Sequence, residues 1–211
     1  MILALSVMAL AAGAVENMSF TPHEEEVARY TCFDRQVLAL VKGETREPLH
    51  RLWGYDEEGY QIIVKGISAS VPEDKADPVL ASLRKKLQPL GYLAFVIEIN
   101  EGMKTASIGI IKGTDQYEIL KIMHTNGEEY DITHEDVMER LKEWEKSSPF
   151  DIIGAENNWV ELEFKTLPKD VRLFAAEVYD FCPDPVDQEA GSIEELAKEI
   201  KKTKRLMLWW D

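Results

Sequence analysis

The sequence predicts an α+β fold: a mixed or antiparallel sheet with helices packed on one face. Three observations predict it. Apolar runs of strand length alternate irregularly with amphipathic runs of helix length, instead of in a strict strand-helix repeat. Several helical runs carry their own start signals. Hydrophobic residues make up 45% of the 211 positions, enough to bury a sizeable core and to make wholesale disorder a poor reading.

Taken in order, Pro22 to Tyr30 reads as a helix that Thr21 caps, with Glu24, Glu25 and Glu26 in the first turn, where the helix dipole favours anions. Gln36 to Val41 is a short apolar run. Arg51 to Tyr55 and Tyr60 to Val71 flank Asp56-Glu57-Glu58-Gly59 and predict a hairpin, with glycine where a turn needs positive φ. Asp77 to Gly91 predicts a helix with Asp77 as N-cap, Pro78 at the first position, a leucine-rich face and Gly91 as its end. Tyr92 to Ile99 and Ala106 to Ile111 predict strands joined through Asn100-Glu101-Gly102, and the nearly continuous apolar character of the second predicts a central position in the sheet.

Tyr117 to Met123 predicts a short helix that Asn126-Gly127 ends in left-handed conformation. Thr133 with Asp136 three residues on is a capping signature for a helix to Lys146. Phe150 to Phe164 predicts two strands around Glu156-Asn157-Asn158, the second alternating polar and apolar, so that one face is wet. Lys169 to Phe181 and Ser192 to Lys202 predict two more helices, with a proline-stiffened turn between them, and Leu206 to Asp211 a last strand. From Ala106 onward the order approximates a ferredoxin-like split β-α-β layer with one extra helix.

The expected organisation is an apolar amino-terminal segment over 1–17, a variable α/β region over 18–115 and a further domain over 116–211 continuous with it; no linker rich in glycine, serine or proline separates the last two. The run MILALSVMALAAGA ends in a small-x-small pattern, but the basic residue that normally precedes a signal peptide's apolar core is missing. Cytoplasmic residence is therefore the expectation, and export through a Met1–Ala14 signal peptide the alternative. No apolar run reaches membrane-spanning length. Cys32 and Cys182, 150 positions apart, read as two free thiols, with Cys182 a buried structural residue because its acidic neighbours disfavour a thiolate.

Charge narrows the function classes. The formal net charge is -15, which excludes a binder of nucleic-acid backbone. Residues 61–115 are almost neutral at +1, whereas residues 116–211 carry 12 basic and 23 acidic side chains, a net of -11. From Leu173 to Ala197 there are seven acids and no Lys or Arg. Such a field attracts basic proteins or cations.

The half from Tyr117 on holds Tyr117-Glu118-Ile119-Leu120, Thr125-Asn126-Gly127 with Tyr130-Asp131, Leu141-Lys142-Glu143-Trp144, Ile152-Ile153-Gly154-Ala155, Trp159 to Phe164, Phe181-Cys182-Pro183-Asp184 with Val186-Asp187-Gln188, and the closing Leu208-Trp209-Trp210-Asp211. In that order these motifs resemble the bacterial domain of unknown function family 4253. The family has no assigned activity, so the resemblance implies a compact domain and transfers no catalytic residue.

Two polar groups are candidate binding residues. Asp180, Asp184 and Asp187, with Gln188 adjacent, offer hard oxygen ligands, but their spacing matches no EF-hand and turn capping by Asp184 and Asp187 beside the prolines is the better explanation. His124, Asn126, Tyr130, Asp131, His134 and Asp136 form the other, in which a His and Asp metal site competes with simple helix capping. Trp209, Trp210 and Asp211 add two rings expected on opposite faces of a strand: either both pack into core, or one fills the core and the other is fit for contact with a partner. No phosphate loop, serine-hydrolase elbow or zinc-protease motif occurs. The resulting expectation is a non-enzymatic interaction module without a cofactor, of immunity or inhibitor type, that binds a basic protein. A metal-dependent hydrolase or small-ligand binder using the Asp or His cluster is the alternative.

Overall fold

A computed structural model of the chain describes residues 18–100 and 102–211. The apolar Met1–Ala14 run and Glu101 of the expected turn lie outside the described residues. The described residues divide into two compact units: one of 18–53 and 62–114 without Glu101, the other of Gly54–Gln61 with Asp115–Asp211. The α+β class is the one observed.

In the first unit, α1 (Pro22–Thr31) starts with a reciprocal capping box between Thr21 and Glu24, and α2 (Arg35–Thr45) follows the left-handed Cys32. The apolar run at 36–41 is thus helical, and its Val37, Leu38 and Val41 enter the core. Strands β1 (His50–Tyr55), β2 (Gln61–Pro72), β3 (Tyr92–Asn100) and β4 (Thr105–Lys112) stand in the order β1-β2-β4-β3. β4 is central, as its apolar run predicts, with Ile108, Ile110 and Ile111 fully buried. Gly66 lets β1 and β4 close on β2: a Cβ there would lie 2.5 Å from the Leu52 side chain and 2.9 Å from the Ile110 carbonyl.

Helix α3 (Ala76–Leu87) is entered through a 3-10 turn at Glu73–Lys75, which makes Lys75 its N-cap residue and places Asp77 inside the first turn. The expectation of an Asp77 cap is corrected accordingly: no side-chain cap bond forms, because the preceding 3-10 turn leads directly into the helix. Gly91, at φ 80, ends the following 3-10 turn as expected.

The second unit contains α4 (Tyr117–Met123), α5 (His134–Ser147), β5 (Phe150–Ala155), β6 (Trp159–Phe164), α6 (Val171–Phe181), a π-helical turn at Pro185–Ala190, α7 (Ile193–Thr203) and β7 (Arg205–Trp209). β5, β6 and β7 are antiparallel neighbours in that order. On β6, Val160, Leu162 and Phe164 are buried while Trp159, Glu161 and Glu163 are half-buried, the alternation the sequence predicts. The ferredoxin-like order does not form. β4 pairs with β2 and β3 in the first unit, and β7 joins β6 directly. Short connections between β3 and β4 favour hairpin pairing over a long-range crossover. Trp144, Phe174 and Phe164 meet edge-to-face in the core of this unit, and Phe181 packs edge-to-face on both Trp144 and Trp210.

Candidate functional site

The second unit contains a cavity of about 550 Å³, and its walls are built by three turns. The first is the tip of the β1–β2 hairpin. Asp56 accepts from the N–H groups of Glu58 (3.2 Å) and Tyr60 (2.8 Å), and Gly59 takes φ 80. These bonds leave Glu57 and Glu58 exposed at the tip. Tyr55 Oη donates to Glu156 Oε1 at 2.9 Å.

The second wall is the 124–135 segment. His124, not the expected Asn126-Gly127 pair, turns the chain out of α4 with φ 49. Its carbonyl accepts from the side-chain amides of Asn126 (3.0 Å) and Asn157 (3.2 Å), and Thr125 Oγ1 donates to the Glu156 carbonyl at 2.7 Å. The third wall, the β5–β6 turn, is thereby stitched to the second. Gly127 has negative φ; what it supplies is room. A Cβ there would lie 2.8 Å from the Trp210 ring.

The imidazoles of His124 and His134 stack with centroids 4.8 Å apart and planes 18° from parallel. His134 Nδ1 lies 3.1 Å from the Thr125 carbonyl. Half-burial lowers the pKa of His134, an effect the Thr125 carbonyl opposes. His124, Asn126, Asp131 and His134 thus share one cavity, while Asp136 is occupied with the Thr133 capping box. Glu57, Glu58, Glu128, Asp131 and Glu135 line the cavity, and no Lys or Arg does. Four of those acids and Asn157 escaped the sequence reading, since Glu57 and Glu58 are separated from Glu128 by some seventy positions of chain and read locally as turn residues.

The aspartate group is dispersed. Asp184 is 3% exposed; Tyr130 Oη donates to one of its oxygens and the Asp211 N–H donates to the other at 2.9 Å. The bond from Tyr130 to Asp184 pushes the phenol pKa up to about 12. Asp184 is therefore a strut between the loop at 130 and the end of the chain, and it presents no oxygen outward. Asp180 and Asp187 are exposed, and Asp187 raises the pKa of the neighbouring Tyr179 phenol by its charge and a hydrogen bond. Gln188 is also exposed, and its side-chain oxygen lies 3.5 Å from Trp209 Nε1. Among the described residues, no three His, Cys, Asp or Glu side chains are grouped so as to hold a metal ion.

Trp209 is half-buried and Trp210 2% exposed, while Asp211 is exposed. Both cysteines are free thiols. Cys182 is buried, its Sγ donates to the Trp209 carbonyl at 3.0 Å, and burial pushes the thiol pKa up to about 12, far from nucleophilic use. No helix among the described residues is long and apolar enough to cross a membrane.

What this arrangement can do chemically is bind a cationic group by charge and hydrogen bonds. No curated protein and no solved structure matches the chain. Residues 107–211, about half of it, match the family described as domain of unknown function (DUF4253), so the stretch that builds all of the second unit beyond its hairpin tip belongs to that family.

Proposed function

We propose that this protein is a non-enzymatic interaction module whose acidic cavity receives a Lys or Arg side chain of a basic protein partner, in the manner of an immunity or inhibitor protein. The observation that carries the reading is the lining: five carboxylates and no Lys or Arg around about 550 Å³. The five acids are exposed around one hollow and act together as a local negative patch, and the net charge of -11 over residues 116–211 extends the attraction beyond it. The amides of Asn126 and Asn157 are tied to the main chain and hold the cavity in shape without adding charge.

The test uses hexa-arginine as the probe on the full chain, by calorimetry at two salt concentrations. The quadruple variant E57Q/E58Q/E128Q/E135Q is expected to weaken binding by about tenfold or more, equivalent to roughly 1.4 kcal/mol. The control D180N/D187N should change it much less. Equal affinity for the quadruple variant and the wild type, or no binding at all, overturns the reading.

A further inference from the structure

A second feature lies away from that cavity, along the outer side of β7. The bonds from Phe164 N–H to the Lys204 carbonyl (2.8 Å) and from Trp210 N–H to the Asn158 carbonyl (3.1 Å) fix which main-chain groups face β6: those of residues 204, 206, 208 and 210. The groups of 205, 207, 209 and 211 therefore point outward, and β7 is the last strand on its side. Most of that outer row is covered by side chains. Thr203 Oγ1 accepts from the Arg205 N–H at 3.0 Å, Cys182 Sγ donates to the Trp209 carbonyl, and Asp184 accepts from the Asp211 N–H. Among the described residues, nothing bonds the N–H and carbonyl of Met207 or the N–H of Trp209, which leaves a gap in this cover.

An uncovered edge invites strand addition, and proteins usually blunt it. Here the ends are blunted and the middle is open. A groove of about 230 Å³ runs beside the gap, lined by Met207, Trp209, Leu196, Pro185, Glu189 and Glu199 among others. Met207 is 39% exposed, and Glu189 and Glu199 are exposed. The one cation of the groove, Arg205, lies 3.5 Å from Glu163 and 3.6 Å from Glu161. The groove thus combines three kinds of recognition: a donor, acceptor and donor on the main chain, an indole face that suits a guanidinium, and two carboxylates beyond it.

We infer that β7 accepts a short extended peptide of a basic partner by strand addition at Met207 and Trp209, with an arginine of that peptide lying between the Trp209 ring and Glu189. The site differs from the acidic cavity in both position and mode. Only about three main-chain groups are open, so the added segment is short.

The experiment titrates the isotope-labelled full chain with an acetylated, amidated hexapeptide that alternates arginine and valine, followed by amide NMR and hydrogen exchange. The Met207 and Trp209 amides are expected to shift and to gain protection from exchange. The same peptide with its alternate main-chain nitrogens methylated should bind at least about tenfold more weakly, since strand addition needs those donors. E189K/E199K should weaken the unmethylated peptide, whereas E57Q/E58Q/E128Q/E135Q should leave these amide shifts unchanged. M207P removes one donor, and the methylated peptide on the wild-type chain gives the same information if that variant fails to fold. Equal binding of the methylated peptide, binding that spares the Met207 and Trp209 amides, or no binding overturns the inference. Loss of the shifts in the quadruple cavity variant would instead assign the peptide to the cavity.

Discussion

Among the described residues each unit buries one carboxylate, and the two are compensated in opposite ways. Glu24 in the first unit accepts from the Lys42 ammonium at 2.6 Å and from the N–H groups of Thr21 (2.7 Å) and Leu49 (3.2 Å). Burial alone would raise its pKa; these bonds win and hold it at about 2. Asp184 in the second unit has no cation beside it in its bonding shell, only a phenol and a main-chain N–H. Glu24 is thus an ion pair that locks α1 to α2 and to the start of β1, whereas Asp184 is a neutral-donor hub that ties a loop to a chain end. Removing one member of a buried ion pair strands the other charge, while removing one donor from a neutral hub strands only a polar group. The first kind of lock should be the more costly to break.

E24A is the severest test of that difference. It is expected to lower stability by about 2–4 kcal/mol in denaturant unfolding, because the Thr21 and Leu49 N–H groups lose their buried acceptor, while Lys42, half-buried, keeps the Ser19 carbonyl. The same residue fixes an acid limb. Its folded pKa of about 2 lies below the ordinary 4.5, so its contribution is complete above pH 4.5 and is lost as pH falls from there toward 2. E24Q should flatten that part of the stability curve; a curve as steep as the wild type's would assign the acid limb to other groups.

Next in size, G127V forces a side chain into the Trp210 ring and is expected to cost about 1–3 kcal/mol by overpacking. The loop that carries Asn126, Glu128 and Asp131 should move with it, seen as chemical-shift changes at the cavity residues and at Trp210. D184N follows. With a neutral amide in place of the carboxylate, one donor loses its acceptor, at about 1–2 kcal/mol. The Tyr130 phenol should then titrate closer to 10, which ring carbon shifts would record. A phenol still titrating near 12 would remove Asp184 as the cause. The smallest stability effect belongs to the exposed cavity acids: E57Q/E58Q/E128Q/E135Q should stay within about 0.5 kcal/mol per site, so that any loss of ligand binding is a loss of charge and not of fold.

What could be read from the sequence was what sequence neighbours decide. The capping signals at Thr21, Thr133 and Ser192, the hairpin at Asp56–Gly59 and the alternation of β6 are each settled within a few residues, and each is present. The family likeness was legible for the same reason, as separated short motifs. What was not legible is long-range. The partner of Asp184 is 54 residues away, so a buried strut and a solvated turn acid look alike in the chain. The ferredoxin-like order failed at β4, whose apolar run states that it is buried without stating between which strands. Gly127 was read for its backbone freedom and turns out to be needed for the indole that lies on it.

The two thiols give the second unit a clock. Cys32 is exposed and belongs to the first unit, while Cys182 is sealed between α6 and β7 with its S–H on the Trp209 carbonyl. A thiol reagent added to the native chain should consume one equivalent at once and the second only when the end of β7 lifts away. The slow phase then counts openings of the strand edge one molecule at a time, and a peptide seated on that edge should slow it in proportion to its occupancy.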